Sequence, residues 1–364
     1  MRKIWKMLIF VAAVGSLVGC VGVKPQKTQE RQKTNQILWP ALPDRPRFRF
    51  SGTLRSAADI VQEDKEQALR RQFTGQTEVS YRPVLNKPTG IAVRFGLVYV
   101  AEPAAKAIIV FDMQRRKLFR FGVREPNALQ RPQSIAVDRE GLVYVLDSQL
   151  RKVMVFDRIG LFIRSINVKD GFTNPVAVAV NPNGKTIYVV DRGDIENNDH
   201  KVVAFSADGR ELFRLGARGN IEGKFNIPLA AAVAEDGTLY VADSGNFRVQ
   251  AFDETGKFKF QFGRIGIDSG SFSRPKGVAV DPAGNIYVSD AGFNNVQIFN
   301  SEGQLLMPIG GLSLDPGPGR YGLIASIAVD ESGRLFVNDH YFNKIEVFFP
   351  ISDDEWMRMG GQVE

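Results

Sequence analysis

Pro275-Lys-Gly-Val-Ala-Val280, Asp281-Pro-Ala-Gly284, Ile286-Tyr-Val-Ser-Asp290, Asn295-Val-Gln-Ile-Phe299 and Gln304-Leu-Leu-Met-Pro-Ile309 follow one another along the chain and spell one small antiparallel sheet. The first run is short, apolar and made of small residues, as an innermost strand must be where several sheets converge on an axis. Asp281 to Gly284 has turn chemistry, with proline presetting φ and glycine supplying φ > 0. The third strand, Asn295 to Phe299, reads as alternating buried and exposed positions. The fourth contains Pro308, which an edge strand tolerates because one side of its ladder is unpaired.

The same pattern recurs six times between Asn86 and Phe349. Its second strand reads Tyr99-Val-Ala-Glu102, Tyr144-Val-Leu-Asp147, Tyr188-Val-Val-Asp191, Tyr240-Val-Ala-Asp243, Tyr287-Val-Ser-Asp290 and Phe336-Val-Asn-Asp339, at spacings of 45, 44, 52, 47 and 49 residues. A period in the mid-forties with four short strands per repeat predicts an all-β, six-bladed β-propeller, since one such sheet cannot bury both faces until neighbours stack on it. The sixth copy ends at Lys344-Ile-Glu-Val-Phe-Phe349 without a fourth strand. Upstream, Arg47-Phe-Arg-Phe-Ser-Gly-Thr-Leu54 alternates like the outer strands, so it is expected to close the ring as the missing strand of the last blade. The propeller is therefore placed at 47–351, with closing strand 47–54.

Phrases such as Arg274-Pro-Lys-Gly-Val-Ala-Val-Asp281 and Val241-Ala-Asp-Ser-Gly-Asn-Phe-Arg-Val249 resemble the NHL-repeat β-propellers, over roughly the last three quarters of the chain. The resemblance implies the fold. It leaves activity open, because NHL propellers serve as protein scaffolds, RNA binders, sensor domains and, in one branch, a metal-dependent lyase.

The N-terminus carries a second signal. Arg2, Lys3 and Lys6 precede an apolar stretch from Met7 to Val18, and Leu17-Val-Gly-Cys20 follows. A basic segment, a short apolar segment and small residues mark residues 1–19 as a secretory signal, too short for an ordinary membrane span. Cys20, the sole cysteine, sits as in the bacterial lipobox, and the resemblance implies lipidation there. Residue 21 is Val rather than the Asp that retains Gram-negative lipoproteins at the inner membrane, which implies the outer membrane. Loss of Arg2, Lys3 and Lys6 with the signal takes the formal net charge from +7 to +4. Residues 20–46 are polar, carry Lys24, Lys27, Arg31 and Lys33, and read as a flexible tether, its basic groups either solvated or set against anionic head groups.

Between the closing strand and the first blade, residues 57–81 read as a helical crossing segment capped by Ser56 and ended by Gly75. The tail, residues 352–364, either packs on the closing blade or hangs free.

For chemistry, the positions opening the inner strands are small or neutral apart from Lys276, so no carboxylate pair and no central metal of the lactonase type is expected there. The zinc lyase branch of the family needs several histidines, whereas this chain has His200 and His340, each read as a surface or loop residue. The acid ending each second strand recurs in every blade, which argues for accepting backbone N–H bonds rather than catalysis. Phe172, Phe225, Phe272 and Tyr321 read as wedges between blades.

Departures from the repeat are the functional candidates. The third blade inserts about five residues in Asp191-Arg-Gly-Asp-Ile-Glu-Asn-Asn-Asp-His200, where Asp194, Glu196, Asn198 and Asp199 supply oxygen donors of the kind calcium takes. Phe247, Phe293, Tyr341 and Phe342 follow second strands. Arg218, Lys224, Arg264, Arg274 and Arg320 lie in or beside links between blades, and with Lys276 they make a binding face of the residue types enriched in interfaces. The reading is a non-enzymatic, lipid-anchored module of the cell envelope that meets another envelope protein or an exported ligand. It needs no cofactor other than calcium at that insertion, and an exported protein meets no nucleic acid. A closed ring has no need to pair, so a monomer is expected. Two alternatives stand beside it: an enzyme at the channel mouth and a calcium-dependent sensor.

Overall fold

The computed structural model describes residues 36–60, 83–194, 196 and 198–362. The expected signal segment 1–19, Cys20, the basic residues Lys24, Lys27, Arg31 and Lys33 of the expected tether and most of the expected crossing helix lie outside the described residues. Within the latter, one 3-10 turn, Ala57–Asp59, follows Ser56, whose backbone N–H donates to Asp59 Oδ2 at 2.7 Å.

Six antiparallel sheets, five of four strands and the last with a fifth strand at its outer edge, radiate from one axis, as the period requires. In the fifth blade the strands are Pro275–Val280, Ile286–Asp290, Asn295–Phe299 and Leu305–Ile309, from the axis outward. The turn after the inner strand is held by Asp281, whose Oδ1 accepts from Asn285 N–H at 2.8 Å and whose Oδ2 accepts from the Tyr287 hydroxyl at 3.1 Å. Asp138 repeats this in the second blade, accepting from Leu142 N–H and the Tyr144 hydroxyl.

The core lies in the wedges between blades. Tyr99 and Phe121 of the first blade pack with Val143, Val145 and Phe156 of the second, and Phe262 of the fourth meets Phe299 of the fifth with ring centroids 4.7 Å apart. Because neighbours cover both faces, the third strands do not alternate between inside and outside as their sequences suggest. From Val296 to Phe299 every residue is buried, Gln297 included. Phe225, Phe272 and Tyr321 are fully buried wedges and Phe172 nearly so. Three of them rest on a glycine that ends the preceding outer strand: Gly216, Gly263 and Gly310, each at positive φ, where a Cβ would intrude on the ring.

Strand Phe48–Leu54 closes the ring, running antiparallel to Lys344–Pro350 with Arg49 opposite Phe349 and Thr53 opposite Glu346. Ordered structure starts earlier than the tether reading allows. Leu38–Trp39 pairs with Phe48 and Arg49 as a fifth strand, and the Trp39 ring sits edge-on to Phe348 at 5.1 Å. Two apolar residues are too short a run to show a period, but one indole against a buried phenylalanine anchors them. The tail packs on the same strand. Ser352 caps helix Asp353–Arg358, Arg49 Nε donates to Glu355 Oε1 at 2.9 Å, and Arg45 pairs with Asp353. No helix among the described residues is long and apolar enough to cross a membrane.

Candidate functional site: the loop face and the mouth of the axial channel

In an up-and-down blade, the loop from second to third strand and the link to the next blade emerge at the same end. That end is frozen by the acids closing the second strands. Asp147 accepts from the N–H groups of Gln130 and Arg131 in the preceding link, and from Gln149 and Leu150 in its own loop. Asp290 does the same for Ser273, Arg274, Gly292 and Phe293, and Asp339 for Gly322, Leu323, Tyr341 and Phe342. In these three blades one carboxylate thus ties two loops together, one more than its position before the third strand suggests. In the first blade Glu102 accepts from Asn86 N–H through Oε2, and its Oε1 has no hydrogen-bond partner among the described residues.

Polar residues on the third strands hold the links from below. Arg248, buried against Asp243, donates to the carbonyls of Asn220, Ile221 and Lys224, while Gln250 donates to Lys224 and accepts from Gly223 N–H. Gln297 bridges Gly270 and Ser271. Lys344 Nζ donates to Gly317 and Arg320 carbonyls, and its neighbour Glu346 accepts from Gly319 N–H. Burial pushes the Asp243 and Glu346 carboxyls up, and the adjacent Arg248 and Lys344 oppose this.

Three consecutive links built this way, 216–225, 263–272 and 310–321, display aliphatic side chains to solvent. Ile267 is 90% exposed and Leu314 87%, the highest values among large apolar side chains of the described residues. Ile221, Ile265 and Leu312 are also exposed. Exposed aliphatic side chains in glycine-rich links match neither strand nor helix period, so only their apolar character in a turn-rich segment could have singled them out.

The expected face residues divide by depth. Arg218, Lys224, Arg264 and Arg320 are exposed on the links, with Arg264 4.0 Å from Asp268. Tyr341 is exposed and stacks edge-on with Phe342, whose half-buried ring receives Lys344. Phe293 is half-buried. Phe247 packs against the core of the fourth and fifth blades and lines the channel.

Lys276 lies inside the channel instead. The second residue of five inner strands is a β-bulge, where the ladder skips from Pro132 to Ser134, Pro175 to Ala177, Pro228 to Ala230, Pro275 to Gly277 and Ile324 to Ser326. A bulge re-aims one side chain. Here Gln133, Val176, Leu229, Lys276 and Ala325 all border a cavity of about 870 Å³ along the axis, whose lining also includes Arg192, Arg274 and His340. Burial, with Arg274 adding to it, holds the Lys276 ammonium below the usual lysine range.

The histidines are not simple surface groups. His200 is buried, and its Nδ1 accepts from Ile227 N–H at 2.7 Å, which fixes it neutral with the proton on Nε2. Ile227 has φ of 55°, a left-handed backbone costly for a β-branched residue. There, as at Lys87, which has φ of 65° and donates its N–H to Asn343 Oδ1, the second link N–H turns away from the blade's acid. His340 Nδ1 lies 3.1 Å from the Pro88 carbonyl.

The third-blade insertion does not gather its oxygen donors. Asp199 turns to Lys201 and to the Thr173 hydroxyl, Asp191 accepts from Thr173, Asn174 and Gly193 N–H groups, and Asp194 Oδ1 accepts from Glu196 N–H within the loop. Asn198 faces Arg218. Among the described residues no group of three or more His, Cys, Asp or Glu converges as a metal would require. The sequence placed four donors together; in the fold Asp199 is spent on Lys201 and Thr173, Asp194 on Glu196 N–H and Asn198 on Arg218, while Glu196 is exposed. Asn197 lies outside the described residues.

The NHL repeat model matches residues 225–252 and 272–299, each running from a wedge phenylalanine to the end of a third strand. No curated protein matches the chain. Solved structures with a similar fold include virginiamycin B lyase from Staphylococcus aureus, at 13% identity over 83% of this chain and 99% of that one, TM-score 0.53. A gluconolactonase from Xanthomonas campestris is 18% identical over 73% of this chain and 86% of its own, TM-score 0.54. Hydrazine synthase from Kuenenia stuttgartiensis is 17% identical over 71% and 82%, TM-score 0.52. Two lyase or lactonase folds at these identities speak to architecture alone. With two NHL repeats matched by the family model and six blades closed around one axis, this chain is a six-bladed β-propeller that carries NHL repeats.

Proposed function

We propose that the protein is a non-enzymatic binding module of the bacterial cell envelope, anchored by a lipid on Cys20 and presenting its loop face to another envelope protein. The observation that carries this is the row of exposed aliphatic side chains on three consecutive links, each pinned from beneath by buried Arg248, Gln297 or Lys344. Apolar groups held rigidly in water lose little conformational entropy on docking, and the partner surface gains the burial. The flanking Arg264, Arg320 and Tyr341 are residue types that supply binding energy at such surfaces. The secretory and lipobox signals support the location, and the absence of a signal for inner-membrane retention at Val21 favours the outer membrane.

A photo-crosslinking residue placed at Ile267 or Leu314 in the full-length, lipidated protein tests this in cells. The same reproducible protein should be captured from both positions, and not from Thr255, which lies in a turn at the opposite end of the fourth blade. Capture from Thr255 alone, or none from the links, rejects the reading.

A further inference from the structure

The loop face has a second feature, one separate from the aliphatic links. At the mouth of the channel the bulged ring is neutral at Gln133, Val176, Leu229 and Ala325, and charged only at Lys276. Among the described residues, neither the Lys276 ammonium nor the neighbouring Arg274 guanidinium has a hydrogen bond or ion pair. The third cation at the rim, Arg192, is engaged by the Asn174 side-chain oxygen, which accepts from its Nε at 2.9 Å in the amide orientation that satisfies both groups. No aspartate or glutamate lines the cavity. Each blade's acid is spent on backbone N–H groups behind the inner strand, so the cations are left without a counter-charge. Below the mouth the walls are chiefly Ala, Val and Ile side chains of the inner strands, including Val178, Ala231, Val278 and Ile327, with Ser134 and Ser326 the polar exceptions.

A half-buried cation in a low-polarity setting costs free energy unless a counter-ion arrives. We propose that the channel mouth is a binding site for a small organic anion with an aliphatic body, its charged end met by Lys276 and Arg274 and its body lying against the inner strands. The cavity is within the size range of small-molecule sites, which combine apolar walls with few convergent polar groups. The four other ring positions, Gln133, Val176, Leu229 and Ala325, are neutral, so the anionic head is met only on the Lys276 and Arg274 side of the mouth.

Isothermal titration calorimetry of the full chain with decanoate tests the site, with decanol and inorganic phosphate as controls. Decanoate should bind saturably, decanol at least about tenfold more weakly, since a hydrogen bond to a charged group discriminates by that order. Phosphate alone should neither bind comparably nor displace decanoate, because it lacks the aliphatic body. Lys276→Met should lose at least about tenfold in affinity and Lys276→Arg should retain most of it, with melting temperatures of both variants showing that the ring is intact. Equal affinity for decanol, equal affinity of Lys276→Met, competition by phosphate, or no binding of decanoate would each overturn the proposal. Crosslinking at Ile267 and Leu314 is read separately, so failure of either reading leaves the other standing.

Discussion

His200 shows how one side chain can set a local pH response. Burial holds its imidazole below the usual histidine range, and the Ile227 N–H occupies the Nδ1 lone pair that a second proton would need. Asp243 and Asp191 pull the other way and Arg218 reinforces the burial, which is the largest of these effects. A group whose pKa is lower folded than unfolded contributes stability above the unfolded value, near 6.5, and loses it as pH falls from there through the folded value. Urea midpoints should therefore drop as pH falls below about 6.5, and His200→Gln should flatten that segment of the profile. A second residue-scale test is Gly263→Ala. The backbone there has φ of 89° and a Cβ would run into the Phe272 ring, so the substitution should cost at least about 2 kcal/mol, read by chemical denaturation. The glycine was legible as a turn residue. Its second task, making room for the wedge of the next blade, was not, because that contact spans two repeats.

At the scale of the strand, the buried ion pairs are the sharpest departure from the sequence reading. Lys344-Ile-Glu-Val looks like a strand with a wet face, yet Lys344 and Glu346 are both buried and together hold the 310–321 link. Period two tells which residues share a face; it does not tell that another blade and a folded link cover that face. Lys344→Met should destabilise by about 3–5 kcal/mol because it strands the Glu346 carboxylate, and adding Glu346→Leu should recover much of the loss. Both are measurable as a double-mutant cycle in urea. The bulge ring was partly legible, since Lys276 stood out as the only charge opening an inner strand, but the skipped register that turns it to the axis depends on the partner strand. For the third-blade insertion, composition suggested calcium and the arrangement of Asp191, Asp194 and Asp199 does not. Adding about 1 mM calcium should leave the melting temperature unchanged, whereas a bound ion would raise it.

Across the whole molecule, the ring depends on Phe48–Leu54, whose role followed from the missing strand of the sixth repeat and its period-two pattern. Leu38–Trp39 escaped notice for lack of length. Deleting residues 37–54 should leave Lys344–Pro350 as an unpaired, apolar edge. Such an edge pairs with other chains. The truncated protein should elute as dimers or larger species on size-exclusion chromatography with light scattering, where the intact chain is expected to elute as a monomer. The same closure also orders events in time. Phe48–Leu54 leaves the ribosome before all six inner strands and its partner Lys344–Pro350 after them, so the seam cannot form until every blade has been made. Until then the closing strand waits without its Lys344–Pro350 partner, and the completed ring is reached through one late, long-range encounter between the two sides of the seam.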